Sequence, residues 1–243
     1  MLKGAIIARS LHKWLGLLVG LQVLIWLVTG LYMVVVNIDF IHGDTLVRNM
    51  QQKVNVPGAD RLGLSDLRSR YPGATEIGLV AVMGKTLYTV QGTSQRYLVD
   101  PENGEVLSPL NEESARAIAR YHFDGSAPVA NAVLIESNPP MEIQTRRLPL
   151  WRIDFDDRFS TSFYIDPYTG ALATRRFQFW RIFDFMWMLH IMDYKDRQDT
   201  HNRLLVTAQI AGLIFAVSGL WLLFYSFSGR RKKTVRADRH DVS

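Results

Sequence analysis

The sequence predicts a membrane α+β protein in which two transmembrane helices flank an extracytoplasmic ectodomain of two helix-on-antiparallel-sheet repeats. Three observations carry that prediction. Residues 14–36, WLGLLVGLQVLIWLVTGLYMVVV, hold no charge in 23 positions, and at about 1.5 Å per residue they make a helix of about 35 Å, enough to cross a hydrocarbon core of about 30 Å. Residues 204–228 are likewise uncharged throughout, so the whole of 37–203 hangs between two spans. Within that loop YLVDPENGEVL (97–107) aligns with FYIDPYTGALA (163–173), placing Asp100-Pro101 over Asp166-Pro167 and Gly104 over Gly170 at an offset of 66, the signature of an internal repeat.

Charge fixes the expected topology. The net charge of +5 is a mosaic: Lys3, Arg9 and Lys13 give the segment 1–36 a charge of +3, and the segment 229–243 carries six Lys/Arg against Asp238 and Asp241, for +4. Basic residues flanking spans stay in the cytoplasm, so both termini are expected inside and the loop, at −2, outside, in the periplasm of an inner-membrane protein. Nucleic acid is therefore not an expected partner despite a pI near 9.5; membrane lipid is, with the run Arg230 to Lys233 as an anchor against anionic headgroups. The first apolar stretch exceeds a signal-peptide core and no A-x-A-like site follows it, which favours an uncleaved signal anchor. With no cysteine in the chain, disulfides, thiolate metal sites and covalently attached haem are excluded.

Taken in order, the cytoplasmic N-terminus (1–13) leads into the first transmembrane helix (14–36), where Gly16 and Gly20 form a G-x-x-x-G that permits close helix packing, joined by Gly30. Ile38, Phe40 and Ile41 are expected to continue into the outer headgroup region, within a polar connector (37–57). The first repeat (58–110) opens on Leu64, Leu67 and Tyr71 at helical spacing and continues as strands over 76–82, 86–90 and 95–99, with turns at Gly84-Lys85 and Gly92-Thr93-Ser94 and a last short strand at 105–107. The second repeat (111–176) has Asn111 as helix N-cap, an apolar stripe of Ala115, Ile118, Ala119 and Phe123, and strands near 129–135, 150–155, 162–165 and 171–174. Asp100, Gly104, Asp166 and Gly170 read as structural turn residues: Asp caps its own turn, Pro sets φ and Gly takes φ > 0.

Residues 177–192, FQFWRIFDFMWMLHIM, are apolar but short and doubly charged; they read as a helix lying at the outer interface or wedged against the two spans, followed by a loop to 203, since a third span would carry the basic tail outside. The second transmembrane helix (204–228) contains Ser218-Gly219-Leu220-Trp221 where the first has Thr29-Gly30-Leu31-Tyr32, with Gly219 the counterpart of Gly30. The basic cytoplasmic tail (229–243) has the composition of a disordered segment.

The run L-H-K-W-L-G-L-x-x-G-L from Leu11 to Leu21, Thr29-Gly30-Leu31, Met188-Leu189-His190, the S-G-L-W of the last span and the two D-P-x-x-G turns together resemble the PepSY-associated transmembrane proteins. That resemblance covers nearly the whole chain. It implies an inner-membrane protein whose PepSY-like units are small helix-on-sheet modules for binding or inhibition; four-span members resemble b-type cytochromes linked to iron uptake and ferric-siderophore reduction. Two spans put an independent electron path across the membrane in doubt.

Haem b would need two facing histidines at one depth. His12 lies at the cytoplasmic edge, whereas His42, His190 and His201 fall on the outer side about 30 Å away, so His12 shares a haem with none of them inside one chain. The candidate ligands are His190, beside Trp187 and Met188, then His12 and His201, each weighed against packing or anchoring roles; His122 reads as structural and His240 as part of the tail. Hydrolase, nucleotide-binding and metal-protease motifs are absent, so no catalytic or metal residue is assigned. The leading expectation is a non-enzymatic accessory or binding subunit of an iron-uptake or redox system, partnered by membrane or periplasmic proteins or by its own copy. Its rivals are a haem-b component of a ferric-siderophore reductase and a protease-inhibiting or sensor module.

Overall fold

The computed structural model describes residues 2–55, 62–93 and 95–237; Ser94 of the expected turn, the boundary expected between connector and first repeat at residues 57 and 58, and His240 lie outside them. The chain divides into two compact units, one of residues 1–35 with 184–243 and one of residues 36–183.

Unit one is built on α1 (Leu2–Val35) and α6 (Arg203–Ala237). Both are long and apolar enough to cross a membrane, over Arg9–Val35 and Arg203–Phe224, yet only 11% and 6% of those windows is buried. Leu17, Leu18, Leu31, Leu213 and Leu220 stand more than 60% exposed. Helices of this length, apolar all round and little covered by protein, are of the kind that can cross a membrane. The pair is antiparallel: Gly16 meets Phe215, Val19 meets Gly212 and His12 meets Ser218. Gly20, by contrast, has no heavy atom within 4 Å of its would-be Cβ among the described residues, so the close helix contact within the chain uses Gly16 and Gly212 instead. Helix α6 runs on through Arg230 to Ala237, where composition alone favours disorder; that stretch lacks Gly and Pro, and each added Arg, Lys or Ala propagates a helix already nucleated upstream.

Unit two starts with α2 (Ile38–His42), a short helix capped by the Asn37 side chain, which accepts from the Asp39 and Phe40 N–H groups, and closed by Gly43 at φ +74°. Rather than entering headgroups, Ile41 is fully buried, and Phe40 meets Phe177 and Phe179 edge-on at ring centroids of 5.6 and 5.0 Å. Then come α3 (Leu64–Arg70) and the antiparallel sheet β1 (Glu76–Val82), β2 (Lys85–Gln91) and β3 (Arg96–Val99). The β1–β2 turn is Met83-Gly84, both at positive φ, as a tight hairpin with right-handed strand twist requires; Lys85 already belongs to β2. In place of the strand expected at 105–107 there is a single bridge, Val99 to Val106.

The second half repeats the order: α4 (Glu112–His122), capped by Asn111, then the antiparallel sheet β4 (Val129–Ile135), β5 (Leu150–Phe155), β6 (Ser162–Ile165) and β7 (Leu172–Arg176). Helix α5 (Gln178–Ile191) carries the chain from unit two into unit one.

Burial shows how the halves of unit two stack. Leu67 of α3 covers the face of the first sheet that carries Tyr88, Val90 and Val99. Ala115, Ile118 and Ala119 of α4 lie in one core with Val82, Leu87 and Leu98 from the other face of that sheet and with Ile153, Phe155, Phe163 and Ile165 of the second. So α4 is shared. The far face of the second sheet has no further α-helix packed on it among the described residues; the segment 136–149, with a 3-10 turn at Met141–Ile143, closes it, Ile143 and Leu148 packing on Leu150 and Tyr164. That is the arrangement of a short solenoid whose end must be capped.

This cap also locates the offset between the repeats. The alignment at 66 relates β3 to β6, but β1 begins at Glu76 and β4 at Val129, a smaller step, because Met83-Gly84 alone joins β1 to β2 while the whole of 136–149 joins β4 to β5. The two D-P-x-x-G turns themselves are alike in bonding: Gly104 N–H donates to Asp100 O at 2.8 Å and Gly170 N–H to Asp166 O at 2.9 Å, while Asp100 and Asp166 Oδ1 accept from the Glu102 and Tyr168 N–H groups. Both glycines have positive φ, +71° and +66°. A Cβ at Gly104 would strike the flexible end of Arg70, whereas one at Gly170 would stand 3.1 Å from both methyls of buried Val82. Gly104→Ala should therefore cost about 1 kcal/mol of backbone strain, and Gly170→Ala about 2 kcal/mol because core overpacking is added; thermal melts of the two variants in detergent should rank in that order, and equal or unchanged melting would remove the strain argument.

Candidate functional site

The residues in unit one that can do chemistry are its buried polar groups, because a polar side chain kept in an apolar helix pair must find a partner there. Thr29 of α1 is 1% exposed and Ser218 of α6 is 9% exposed. Thr29 Oγ1 donates to the Ile25 carbonyl at 2.8 Å and stands 2.9 Å from His190 Nδ1. Ser218 Oγ donates to the Phe215 carbonyl at 2.7 Å and stands 2.9 Å from His12 Nδ1. A hydroxyl has one proton, and in each case the helix's own carbonyl takes it. With that proton on the carbonyl, the oxygen faces the imidazole Nδ1 with a lone pair, and Nδ1 is the ring nitrogen that the seat engages. Neither Nε2 has a hydrogen-bond partner among the described residues.

The two seats are built alike. Gly219 lies against His12, where a Cβ would be 2.9 Å from Cε1, and Gly30 lies against His190 with 3.7 Å to Cε1. One helical turn before each hydroxyl an aromatic ring completes the seat: Phe215 stacks on the His12 ring at 4.3 Å and 8°, and Trp26 Nε1 donates to the His190 carbonyl at 2.8 Å, one of the last carbonyls of α5 left without an intrahelical partner. The pattern aromatic-x-x-hydroxyl-Gly thus recurs in the two long helices, Trp26 to Gly30 and Phe215 to Gly219. Of the glycines expected to pack helices, Gly16, Gly30 and Gly219 each admit a ring, not a backbone: Phe215, His190 and His12.

His12 and Thr29 sit 17 positions apart on α1, which is about 26 Å of helix; the two seats therefore lie at opposite ends of unit one. His201 is exposed in the loop before α6, its N–H held by Asp199 Oδ1 at 2.8 Å, and has no seat of this kind. His42 is also exposed, and His122 is buried, its pKa lowered by burial against a weaker opposing hydrogen bond to the Arg48 carbonyl. Gln22, between the two seats on α1, has a buried Nε2 without a hydrogen-bond partner among the described residues. Between α5 and α6 the loop is tied by Asp193, whose carboxylate accepts the N–H groups of Asp199, Gln198, Asp196 and Lys195 and is thereby held at about 2, well below the usual range. The ion pair of Arg197 with Asp184 and the Trp187 indole on the Arg197 carbonyl fasten the same loop to α5.

Unit two contributes a charged network that no sequence pattern announces. Glu142, on the cap, accepts from Arg181 Nε at 2.8 Å and from the Tyr164 hydroxyl at 2.5 Å; Arg181 reaches on to Ser162, which donates to Asp154, itself paired with Arg152. Burial alone would raise the Glu142 carboxyl, but the Arg181 and Tyr164 hydrogen bonds and the charges of Arg181 and Arg152 hold it below the ordinary value. Burial, then Glu142, raise the Tyr164 phenol, so it stays a donor. These groups are mutually satisfied, and among the described residues no three His, Asp or Glu side chains converge as metal ligands. The network fixes the cap; the histidine seats are the candidate site.

No family model matches this chain, and no curated protein sequence and no solved structure matches it either.

Because the folded-state pKa of Glu142 is depressed, its stabilisation is complete above the ordinary value of about 4.3 and is lost as pH falls through the lower folded value. Glu142→Gln, which leaves Arg181 without its anion, should cost about 2 kcal/mol or more at pH 7 and flatten the acid limb of stability between pH 5 and pH 3. An equal acid slope in wild type and variant would show that other carboxylates govern it.

Proposed function

We propose that this chain is a non-enzymatic subunit of a membrane iron-uptake or redox assembly, of the PepSY-associated type, with both termini in the cytoplasm and unit two, its tandem helix-on-sheet module, in the periplasm. In that assembly it contributes one histidine at each of two membrane levels to haem b held jointly with a second chain, its own copy being the simplest. The observation that carries this reading is the pair of seats that each commit Nδ1 and leave Nε2 open, since haem iron is ligated through such a nitrogen and the bond at the other nitrogen fixes the ring. The donor set fits the group only in part. One chain offers one ligand per level and two long helices, so both the second axial ligand and the remaining walls fall to another chain; a two-fold axis along the membrane normal would bring each seat opposite its copy. Haem would supply one-electron chemistry; the chain's own residues orient the imidazoles and exclude water.

Purified alone and monomeric, the chain should lack a stoichiometric Soret band, and the band should appear in fractions shown by sedimentation to hold two chains. His190→Ala should remove absorption at the level of that seat, and His122→Ala should leave the spectrum intact. A full haem complement in a proven monomer, or a spectrum indifferent to both His190→Ala and His12→Ala, would overturn the assignment.

Orientation is tested separately, and the cysteine-free sequence makes the test clean. Single cysteines at Gln95 and Asp156, both exposed on unit two, should react with a membrane-impermeant thiol reagent in intact spheroplasts, and one at Ser243 only after lysis. The reverse pattern would place the module in the cytoplasm.

A further inference from the structure

The two hydroxyls are more than helix-packing residues. Each lies in a long apolar helix and gives its one proton to a carbonyl of its own helix, Ile25 for Thr29 and Phe215 for Ser218. Each also stands 2.9 Å from the Nδ1 of a histidine remote in sequence, 161 and 206 positions away. The adjacent glycine leaves room for Cε1 and the preceding aromatic fixes the ring or its backbone. The same device has thus been assembled twice, on different helices and for histidines carried by different elements: His12 on α1 and His190 on α5. A hydroxyl that merely filled its hydrogen-bonding capacity would not need the glycine and the aromatic at the same offsets in both places.

We infer that Thr29 and Ser218 are positioning residues that hold His190 and His12 in the Nδ1-protonated tautomer, so that each Nε2 lone pair is available for the iron ligation proposed above. The chemistry follows from the acceptor. The hydroxyl oxygen is the only partner of Nδ1 among the described residues; with its own proton on the helix carbonyl it acts as an acceptor, which favours the proton on Nδ1, and removal of that oxygen removes the reason for it to stay. Thr29→Ser keeps the oxygen, whereas Thr29→Val and Ser218→Ala keep much of the bulk and lose it.

The test is made on the full chain, free of haem, with nitrogen-15-labelled histidine in micelles, where long-range proton–nitrogen correlations report which ring nitrogen is protonated. In the wild type, His12 and His190 should each show a single Nδ1–H form above the pH at which the ring is charged. Thr29→Val should abolish that single form for His190 and leave His12 untouched, Ser218→Ala should do the reverse, and Thr29→Ser should restore the wild-type pattern. An Nε2–H form for either histidine in the wild type, or an unchanged His190 pattern in Thr29→Val, overturns the inference; should Thr29→Val fail to fold, the wild-type spectrum and Ser218→Ala decide it. Because haem is absent from the measurement, the two ideas fail separately. A chain that never binds haem but shows both Nδ1–H forms loses the proposed function and keeps the positioning role, and a haem-binding chain whose tautomers ignore both hydroxyls does the opposite.

Discussion

A hydroxyl with a single proton, surrounded by hydrocarbon side chains, must choose between its own helix and a neighbour, and in both long helices it gives the proton inward to a carbonyl one turn back. The histidine seats of the membrane-length unit are arranged around that choice. Because the oxygen is left as an acceptor, only a donor can sit beside it, and the donor in each case is an imidazole. Because an imidazole is wide, the next residue is glycine; because the ring or its backbone needs a second fixed point, the residue three before is aromatic. Without these contacts the antiparallel helix pair would be held chiefly by dispersion, as where Gly16 meets Phe215 and Gly212 meets Val19.

The second unit answers a different constraint, the need to cover both faces of an apolar sheet. The first sheet has α3 on one face and α4 on the other, while the second sheet has α4 on one face and, among the described residues, no α-helix in its other cluster. The β4–β5 connection fills that place. Its tip carries Glu142, whose carboxylate is reached by Arg181 and Tyr164, so the segment poorest in regular structure is held by charged hydrogen bonds.

Much of this is legible in the sequence, and the parts that are not share a cause. Alternating apolar residues over Glu76–Val82 and a buried stripe at Ala115, Ile118 and Ala119 are local signals, and the strands and helix they imply are present. The two aspartate-proline turns are visible as letters, but the offset of 66 conceals the insertion upstream of β5, since repeat arithmetic sees only the end that aligns. Helix α2 escapes notice because so short a helix has no periodicity; its side-chain cap, the burial of Ile41 and the ring contacts of Phe40 are not local signals. His12 and His190 stand out by type, yet their partners do not, although the doubled hydroxyl-glycine-leucine-aromatic run is there to be read. Spacing says nothing about which remote side chains meet. The Glu142 network is invisible for the same reason.

A stack in which each sheet borrows the next unit's helix can in principle be lengthened by inserting another unit, and this is how such arrays vary in size. Here the terminal face bears Tyr164 where the aligned position of the first sheet is Leu98, and that phenol is bonded to a carboxylate on the cap rather than offered to an incoming helix. The second repeat is thereby a dead end in the growth of the array. Among the described residues, one loop occupies the face on which a further unit would stack.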